Sequence, residues 1–248
     1  MVQAVGPNII HTHGSRTAWH RWYSSVYDQP PRGKGQGAPG LGRPVTSSNY
    51  QKYQTRNPLV RKLTRRFLDR LCTRLVEIHP KTIIDLGCGE GVVAGEIRRL
   101  LPAVRYVGID ASGEAIRMAR ASNPGVEFRE GDILDGHPAG TAAELALCVE
   151  VLEHLDHPDL ALERIAAVSS DYVVVSVPWE PYFRLGNLFR GKYLKNWGNH
   201  PEHVQQFSPG SLRDLLTRHF SSVGIATCFP WLIAVARKRG AVDGAARA

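Results

Sequence analysis

The sequence predicts an α/β fold: a mostly parallel sheet of about seven strands, with an antiparallel last strand and helices on both faces. An apolar, β-branched run at 82–86 ends in glycines and passes into a helical pattern at 92–101. Strand-like and helix-like segments then alternate along the chain, which is typical of parallel sheets. Near the end, strand-like segments at 223–229 and 231–237 are separated only by Pro230, a connection short enough for an antiparallel pair.

Length and composition limit the classes of protein to which the chain can belong. It has 248 residues and a formal net charge of +8 at pH 7, enough chain for one α/β core with an arm or cap. Its apolar runs are too short to span a membrane, and the first residues lack the pattern of a secretory signal. We expect a cytoplasmic protein without a membrane span, with reduced thiols because its cysteines have no metal or redox spacing. These are Cys72, Cys88, Cys148 and Cys228.

The chain divides by composition into four parts. Residues 1–48 predict a flexible N-terminal arm, and residues 49–80 predict a helical cap. Residues 81–240 form the predicted α/β domain. Within it, the aromatic and basic insertion 179–207 is expected to roof the substrate pocket. Residues 241–248 predict a frayed tail.

The basic residues are concentrated before the α/β domain. Residues 1–80 contain 13 Lys or Arg against 3 Asp or Glu. This excess is interpreted either as an attraction for nucleic acid or another anionic surface, or as a solvated arm and helix face. In the cap, an apolar stripe surrounded by bases predicts an amphipathic helix from Pro58 to His79. The stripe is formed by Leu59, Leu63, Phe67, Leu71, Leu75 and Ile78.

The turn after the first predicted strand carries the strongest functional signal. Its glycines Gly87, Gly89 and Gly91 have the spacing G-x-G-x-G, which differs from the G-x-G-x-x-G of dinucleotide sites. No Gly-Lys-Ser/Thr follows, which excludes a phosphate-binding P-loop. The carboxylate of Asp85, just before the first glycine, repels a pyrophosphate but can bind an ammonium group or water.

Asp110 ends the second predicted strand. An acidic residue there, roughly 20 residues beyond the glycine turn, is well placed to accept hydrogen bonds from ribose hydroxyls. The other interpretation is a helix cap, although Ser112 is available for that role at the next helix. The glycine turn upstream favours the ribose role.

At these residues the chain resembles the class I S-adenosylmethionine-dependent methyltransferases, whose first motif is acidic-x-Gly-x-Gly-x-Gly. The resemblance extends from about Thr82 to Arg237 and implies a Rossmann-like methyltransferase sheet with S-adenosyl-L-methionine as cofactor. It also implies that Asp132 accepts a hydrogen bond from the adenine amino group and that Ile133 packs on the ring. The implied cofactor-binding residues are Asp85, Gly87, Cys88, Gly89, Gly91, Asp110, Ala111, Asp132, Ile133 and Glu150.

Three polar residues follow the fourth predicted strand, and three interpretations compete for them. In the first, Glu150 lines the cofactor while Glu153 and His154 form structural hydrogen bonds. In the second, His154 is a general base, because its pKa near neutrality suits removal of a proton. In the third, all three side chains bind a divalent metal together with a ligand from elsewhere.

The insertion supplies candidates for that further ligand, His203 and, as a spare, His200. Glu-x-x-Glu-His followed downstream by His resembles two metal-dependent subgroups, the ubiquinone-pathway O-methyltransferases and the 2′-O-methyltransferases of small-RNA 3′ ends. The resemblance implies a metal that positions vicinal hydroxyls. Mixed carboxylate and imidazole ligands suit Mn²⁺, Fe²⁺, Zn²⁺ or, less well, Mg²⁺. The implied ligands are Glu150, Glu153, His154 and His203.

These observations lead to one primary function and two alternatives. The primary function is methyl transfer to a hydroxyl of a small molecule, a phenol or catechol, in a biosynthetic pathway, with His154 or His203 as the catalytic residue. An RNA 2′-O-methyltransferase is the first alternative. The basic helix favours it, but the sequence contains no recognisable RNA-binding module. The second alternative is a protein that keeps the cofactor as a scaffold and does other chemistry or none.

Overall fold

The computed structural model describes Thr55, residues 57–135, residues 142–180, Tyr182 and residues 204–240. The predicted arm, the predicted tail and most of the insertion, including His200 and His203, lie outside the described residues.

One sheet contains the seven strands that the structure describes. In chain order they are β1 (Thr82–Leu86), β2 (Arg105–Asp110), β3 (Glu127–Glu130), β4 (Ala143–Val149), β5 (Ser169–Pro178), β6 (Phe220–Cys228) and β7 (Trp231–Lys238). Their spatial order is β3-β2-β1-β4-β5-β7-β6. The pairs among β1 to β5 are parallel, whereas β7 is antiparallel to both β5 and β6. The predicted fold class is therefore confirmed, including the antiparallel pair around Pro230.

Helices connect β1 to β2, β2 to β3 and β4 to β5, and local capping fixes where several helices begin. The hydroxyl of Ser112 accepts a hydrogen bond from the backbone N–H of Ala115 at 3.2 Å, which satisfies a donor that the helix itself leaves unpaired. Ser208 and Ser211 form a reciprocal capping box. The helices are α1 (Pro58–Ile78), α2 (Val92–Leu100), α3 (Gly113–Ser122), α4 (Pro158–Val168) and α5 (Pro209–His219).

Helix α1 forms as predicted, but its buried face differs from the predicted stripe. Leu59, expected inside, is 62% exposed, and Leu63 is half-buried. The reason is geometric: a strict four-residue repeat drifts about 40° around the helix at each step, so its first members leave the core face. The face that packs inward consists of Val60, Thr64, Phe67, Leu68, Leu71, Cys72 and Leu75.

The core lies between the central strands and the helices on either face. Strands β1 and β4 are buried along almost their whole length, and side chains of α4 and α5 such as Leu162 and Leu212 are fully buried against the sheet. Within the described residues, no helix is both long and apolar enough to cross a membrane. Because β1 to β5 are parallel, their carboxyl ends share one edge, and the polar segments that follow them meet there.

Candidate active site

The predicted site residues lie together at the carboxyl edge of the sheet. In spatial order, the chain leaves β3 before Asp132, β2 at Asp110, β1 just after Asp85 and β4 before Glu150. Ligands of open α/β sheets bind outside these strand ends.

The glycine turn between β1 and α2 presents bare backbone at this edge. Gly87, Gly89 and Gly91 all have positive φ, at 82°, 53° and 76°. A Cβ on Gly87 would lie 2.3 Å from Cγ2 of Val151, so this glycine is required for packing. A Cβ on Gly89 would meet no atom within 4 Å. The main chain at Gly89 therefore borders open space that a ligand can enter.

Asp110 holds the glycine turn against the end of β2. Its Oδ2 accepts the backbone N–H of Gly89 at 2.8 Å, and its Oδ1 accepts that of Ser112 at 2.8 Å. The cap of α3 is provided by the Ser112 hydroxyl, as the sequence suggested. Each Asp110 oxygen keeps a second lone pair for an outside donor. This arrangement suits two neighbouring hydroxyls.

Asp85 is a buried carboxylate with one oxygen left over. It is 1% exposed, and its Oδ2 accepts a hydrogen bond of 2.5 Å from the Tyr106 hydroxyl. No donor in the described part of the chain reaches its Oδ1. The pKa of Asp85 is raised to about 7, mainly because the carboxyl group is buried. The hydrogen bond from Tyr106 lowers this pKa, and the nearby Asp110 carboxylate raises it further. An ammonium group would satisfy both the open oxygen and the buried charge.

The remaining predicted cofactor residues flank this pair. Asp132 is exposed after β3, and its Oδ1 accepts the backbone N–H of Leu134 at 2.8 Å, while Ile133 beside it is buried. Ala111 is exposed. Cys88 is buried within the glycine turn, and desolvation raises the pKa of its thiol well above the usual value, so it is uncharged.

Glu150 directly follows β4 and is buried at the carboxyl edge of the sheet. It is 4% exposed and has a positive φ of 58°. Its Oε2 accepts the indole N–H of Trp231 at 2.6 Å, and its Oε1 accepts the Ser176 hydroxyl at 3.2 Å. These hydrogen bonds connect the residue after β4 to β5 and β7, and they orient the Glu150 carboxylate toward donors of the protein itself.

Glu153 and His154 lie in a 3₁₀ turn (Leu152–His154) after β4. Glu153 is buried, and its carbonyl oxygen accepts the backbone N–H groups of Val204 and Gln205 at 2.8 and 3.0 Å. The His154 side chain is 25% exposed, with Nε2 3.9 Å from Glu153 Oε1. An imidazole with this partial exposure can exchange a proton with a ligand at the strand ends.

The insertion leaves and rejoins the domain beside this turn. The backbone N–H of Glu180 donates to the carbonyl of Phe207 at 3.0 Å, and Trp179 forms a β-bridge with Phe207. Val204 and Gln205, the first described residues after the gap, are bound to Glu153 as above. Both ends of the insertion are therefore anchored at the carboxyl edge of the sheet.

Comparison with protein families decides the affiliation. The family described as "Methyltransferase domain" matches residues 55–219, more than half of the chain. The chain belongs to this methyltransferase family. The match includes every strand end that carries a site residue, from the glycine turn to His154.

Curated proteins similar to this methyltransferase match it over shorter stretches. A trans-aconitate 2-methyltransferase of Azoarcus sp. (strain BH72) is 36% identical over 85 residues, which are 34% of this chain and 33% of that protein. The mitochondrial ubiquinone biosynthesis O-methyltransferase of Schizosaccharomyces pombe is 32% identical over 103 residues, 39% of this chain and 35% of that protein. The chain thus spans about a third of the length of these two relatives.

Solved structures agree with the methyltransferase fold. The magnesium protoporphyrin IX methyltransferase of Synechocystis PCC 6803, with bound S-adenosylhomocysteine, has a TM-score of 0.58 at 16% identity and covers 78% of this chain and 95% of its own. A plantazolicin methyltransferase complex has a TM-score of 0.58 at 19% identity, with coverages of 73% and 90%. At these identities the likeness concerns the fold.

The four implied metal ligands of the methyltransferase are not all within the described residues. Glu150, Glu153 and His154 are, whereas His203 is not. Across the described ranges up to residue 240, no group of three or more His, Cys, Asp or Glu side chains is arranged to hold a metal. The metal-binding set remains a prediction.

Sequence reasoning missed three residues that shape this site. Tyr106 donates to Asp85, Trp231 donates to Glu150, and Asn123 Nδ2 donates to the carbonyl of Gly91 at 3.1 Å. One available signal was Tyr106 itself, because a buried tyrosine hydroxyl needs a partner and Asp85 lies on the neighbouring strand. The strand register that places Tyr106 beside Asp85 cannot be predicted from the sequence of β1 or of β2 alone.

Proposed function

We propose that the chain transfers a methyl group from S-adenosyl-L-methionine to a hydroxyl group of a small-molecule acceptor. The observation that carries the proposal is the buried Asp85 carboxylate, with an open oxygen, beside a glycine turn that borders open space at Gly89. A neutral or anionic ligand would leave that carboxylate uncompensated, whereas the ammonium group of an amino-acid cofactor neutralises it.

The other cofactor contacts follow from the strand ends. In the proposal, Asp110 accepts hydrogen bonds from the two ribose hydroxyls, because both its oxygens are already fixed by backbone donors. Asp132 accepts from the adenine amino group, and Ile133 packs against the ring. The cofactor supplies an activated methyl group on a sulfonium when it is bound.

The protein's own part in the reaction is alignment, exclusion of water and handling of one proton. Holding the acceptor oxygen in line with the methyl group converts a bimolecular encounter into a local step. His154 is the proposed base that takes the hydroxyl proton onto its imidazole, since it is part-exposed at the end of β4. The insertion, anchored at Glu180 and Phe207, is the proposed roof that excludes water.

We propose the base route in preference to a metal-assisted one. Both carboxylate oxygens of Glu150 accept hydrogen bonds from protein donors, so a metal would have to share each oxygen with a donor. A metal route through Glu150, Glu153, His154 and His203 predicts a metal that copurifies with the chain and activity that a chelator abolishes. The base route predicts neither.

The test is a screen of phenols, catechols and alcohols for the gain of one methyl group, measured by mass spectrometry with the full chain and S-adenosylmethionine. His154→Asn is expected to lower kcat about 100-fold or more while leaving cofactor affinity unchanged. His157→Asn, an exposed histidine nearby in sequence, is the matched control and should leave kcat unchanged. Methylation of amines or carbon acids alone, or unaltered turnover by His154→Asn, would contradict the proposal.

A further inference from the structure

Helix α1 carries a row of exposed basic side chains. Lys62, Arg66 and Arg70 recur at four-residue spacing, so they stand about 6 Å apart along one side of the helix. Across the described residues, none of the three forms an ion pair. They line one shallow concavity on the surface of the helix.

The acidic residues of α1 are engaged by other arginines. Asp69 pairs with Arg65 at 3.4 Å, and Glu77 pairs with Arg74 at 2.6 Å. The Asp69 carboxylate lines the same concavity, but the lining keeps an excess of positive charge. An outside anion can meet these cations without breaking an existing pair.

A cluster of partly exposed aromatic rings lies at the ends of β5 and β6. Tyr182 packs edge-on against Trp179, with ring centroids 4.7 Å apart, and against Phe229, at 5.8 Å. Tyr182 is 42% exposed and Phe229 is 46% exposed. The cluster thus offers aromatic surface to a ligand, in the edge or offset geometry that rings prefer.

Cys228 connects the basic row to the aromatic cluster. Its thiol donates to the backbone carbonyl of Arg66 at 3.7 Å, and it directly precedes Phe229. The guanidinium groups of Arg66 and Arg70 also act on this thiol: burial raises its pKa, the two positive charges oppose the rise, and the Asp69 carboxylate adds to it. Both cations therefore lie close to the start of the β6–β7 turn.

Trp231 connects this part of the molecule to the candidate active site. Trp231, which opens β7, pairs with Pro178 at the carboxyl end of β5. Its indole binds Glu150 at the end of β4, and its ring packs on Phe67 of α1, with centroids 5.0 Å apart. Trp231 therefore links α1, and the β6–β7 turn that carries Phe229, to the strand end from which His154 follows.

We propose that Arg66, Arg70 and the aromatic cluster form the acceptor-recognition surface, and that the acceptor is an aromatic acid. Its ring packs on Phe229 and Tyr182, and its carboxylate or phosphate binds the two guanidinium groups. This inference rests on the proposed function, since it assigns the acceptor of that reaction. Guanidinium forks bind planar oxyanions in pairs of charge-assisted hydrogen bonds, and a flat ring matches the exposed aromatic faces.

The experiment compares 1-hydroxy-2-naphthoate with its uncharged analogue, 1-hydroxy-2-naphthamide, in fluorescence titrations of the full chain. The wild type should bind the acid at least about tenfold more tightly. Arg66→Ala with Arg70→Ala should remove this preference and leave the naphthamide affinity within about twofold. Phe229→Ala should weaken both ligands equally. Parallel titration with 1-naphthyl phosphate identifies which oxyanion is preferred.

The matched control removes two exposed arginines elsewhere. Arg105 stands at the amino end of β2, on the opposite edge of the sheet, and Arg117 lies on α3. Arg105→Ala with Arg117→Ala should leave the preference for the acid intact. Equal affinities for acid and amide in the wild type, or the same loss in this control, would overturn the inference.

Two further outcomes would reassign the surface. A single-stranded oligonucleotide that binds far more tightly than the naphthoate, with a steep salt dependence and dependence on Arg66 and Arg70, would make it a nucleic-acid site and overturn the aromatic-acid inference. Tight binding to phosphatidylglycerol vesicles would overturn it in favour of a membrane surface. Cofactor binding is measured on the same protein. If S-adenosylhomocysteine binds and the acid preference is absent, only this inference fails. If S-adenosylhomocysteine does not bind, the proposed function fails.

Discussion

Asp85 is a carboxylate held where its charge is unfavourable until a ligand arrives. It is almost fully buried, its nearest donor is a neutral hydroxyl, and a second carboxylate, Asp110, adds to the field that raises its pKa. Cys88 and Cys148 also interact with it, and burial raises the pKa of both thiols well above the usual value, so both stay uncharged and neither compensates the carboxylate. Within the described residues no cation compensates the charge of Asp85, so we expect a ligand to supply it.

The affinity for S-adenosylmethionine should consequently depend on pH. The pKa of Asp85 in the free protein is about 7, so the group is mostly protonated below that pH and mostly ionised above it. Only the ionised form attracts an ammonium group, and affinity should rise from about pH 5 to pH 7.5, a range over which the ammonium is mostly charged. Calorimetric titration across this range checks the prediction.

Two variants separate Asp85 from other titrating groups. Asp85→Asn should bind more weakly with a flat profile over the same range. Tyr106→Phe removes the hydrogen bond that lowers the Asp85 pKa, so its profile should rise at a higher pH than that of the wild type. A wild-type affinity independent of pH, or a Tyr106→Phe profile shifted to lower pH, would argue against this account.

At the scale of elements, two glycines of the glycine turn have different roles: Gly87 allows close packing, and Gly89 leaves space for a ligand. Gly89→Ala and Gly87→Ala both place a side chain at positive φ, but only Gly87 meets a neighbour, Val151. Gly89→Ala should lower the free energy of unfolding by about 1–2 kcal/mol and abolish cofactor binding. Gly87→Ala should destabilise by roughly 3 kcal/mol or more. Chemical denaturation and calorimetry measure the two effects.

Gly240 provides the matched control for this comparison. It has a φ of 80° and open space around its missing Cβ, like Gly89, but it follows β7 away from the glycine turn. Gly240→Ala should have the same backbone cost as Gly89→Ala and normal cofactor affinity. If Gly89→Ala bound the cofactor as well as Gly240→Ala, the open space at Gly89 would not be the ligand path.

The hydrogen bond between Trp231 of β7 and Glu150 after β4 should contribute measurably to the free energy of unfolding. Trp231→Phe removes one donor from the buried Glu150 carboxylate, and losing a hydrogen bond to a buried charged group costs about 1–3 kcal/mol. Trp179→Phe, in which the indole is only half-buried, is the control. Equal unfolding free energies for the two variants would show that the Trp231 bond contributes little.

The elements that the sequence predicted well are those encoded locally. Each of these features is recognisable from a few neighbouring residues: the apolar run at 82–86, the three glycines and the acidic end of β2. The structure brings them to one edge of the sheet. Long-range partners were not predictable: Trp231 and Glu150 are 81 residues apart, and Tyr106 and Asp85 are 21 apart. Those bonds depend on strand register, which the sheet as a whole determines.

Two local predictions differ from the structure for a related reason. Strand β6 begins at Phe220, before the predicted segment 223–229, because backbone pairing with β7 extends the strand through two serines. The buried face of α1 was also displaced from its predicted stripe. In both cases the packed neighbour, and not the local pattern, decides which residues are inside.

For the whole molecule, the described core comes from residues 60–236. The division into arm, cap and domain is still a prediction. Removing residues 1–48 is expected to leave the unfolding temperature and cofactor affinity unchanged, because the strand ends and their supporting helices all lie later in the chain. Differential scanning calorimetry and cofactor titration of the shortened chain check this. A clearly lower unfolding temperature would mean that the arm belongs to the folded domain.

The central claim is that the carboxyl edge of this sheet binds S-adenosylmethionine, and calorimetric titration of the full chain with that compound tests it most directly. We expect one molecule to bind per chain with a Kd between about 1 μM and 1 mM, and Asp110→Ala and Gly89→Ala to abolish the binding. The absence of binding heat, together with an unfolding temperature that the compound does not shift, would contradict the claim.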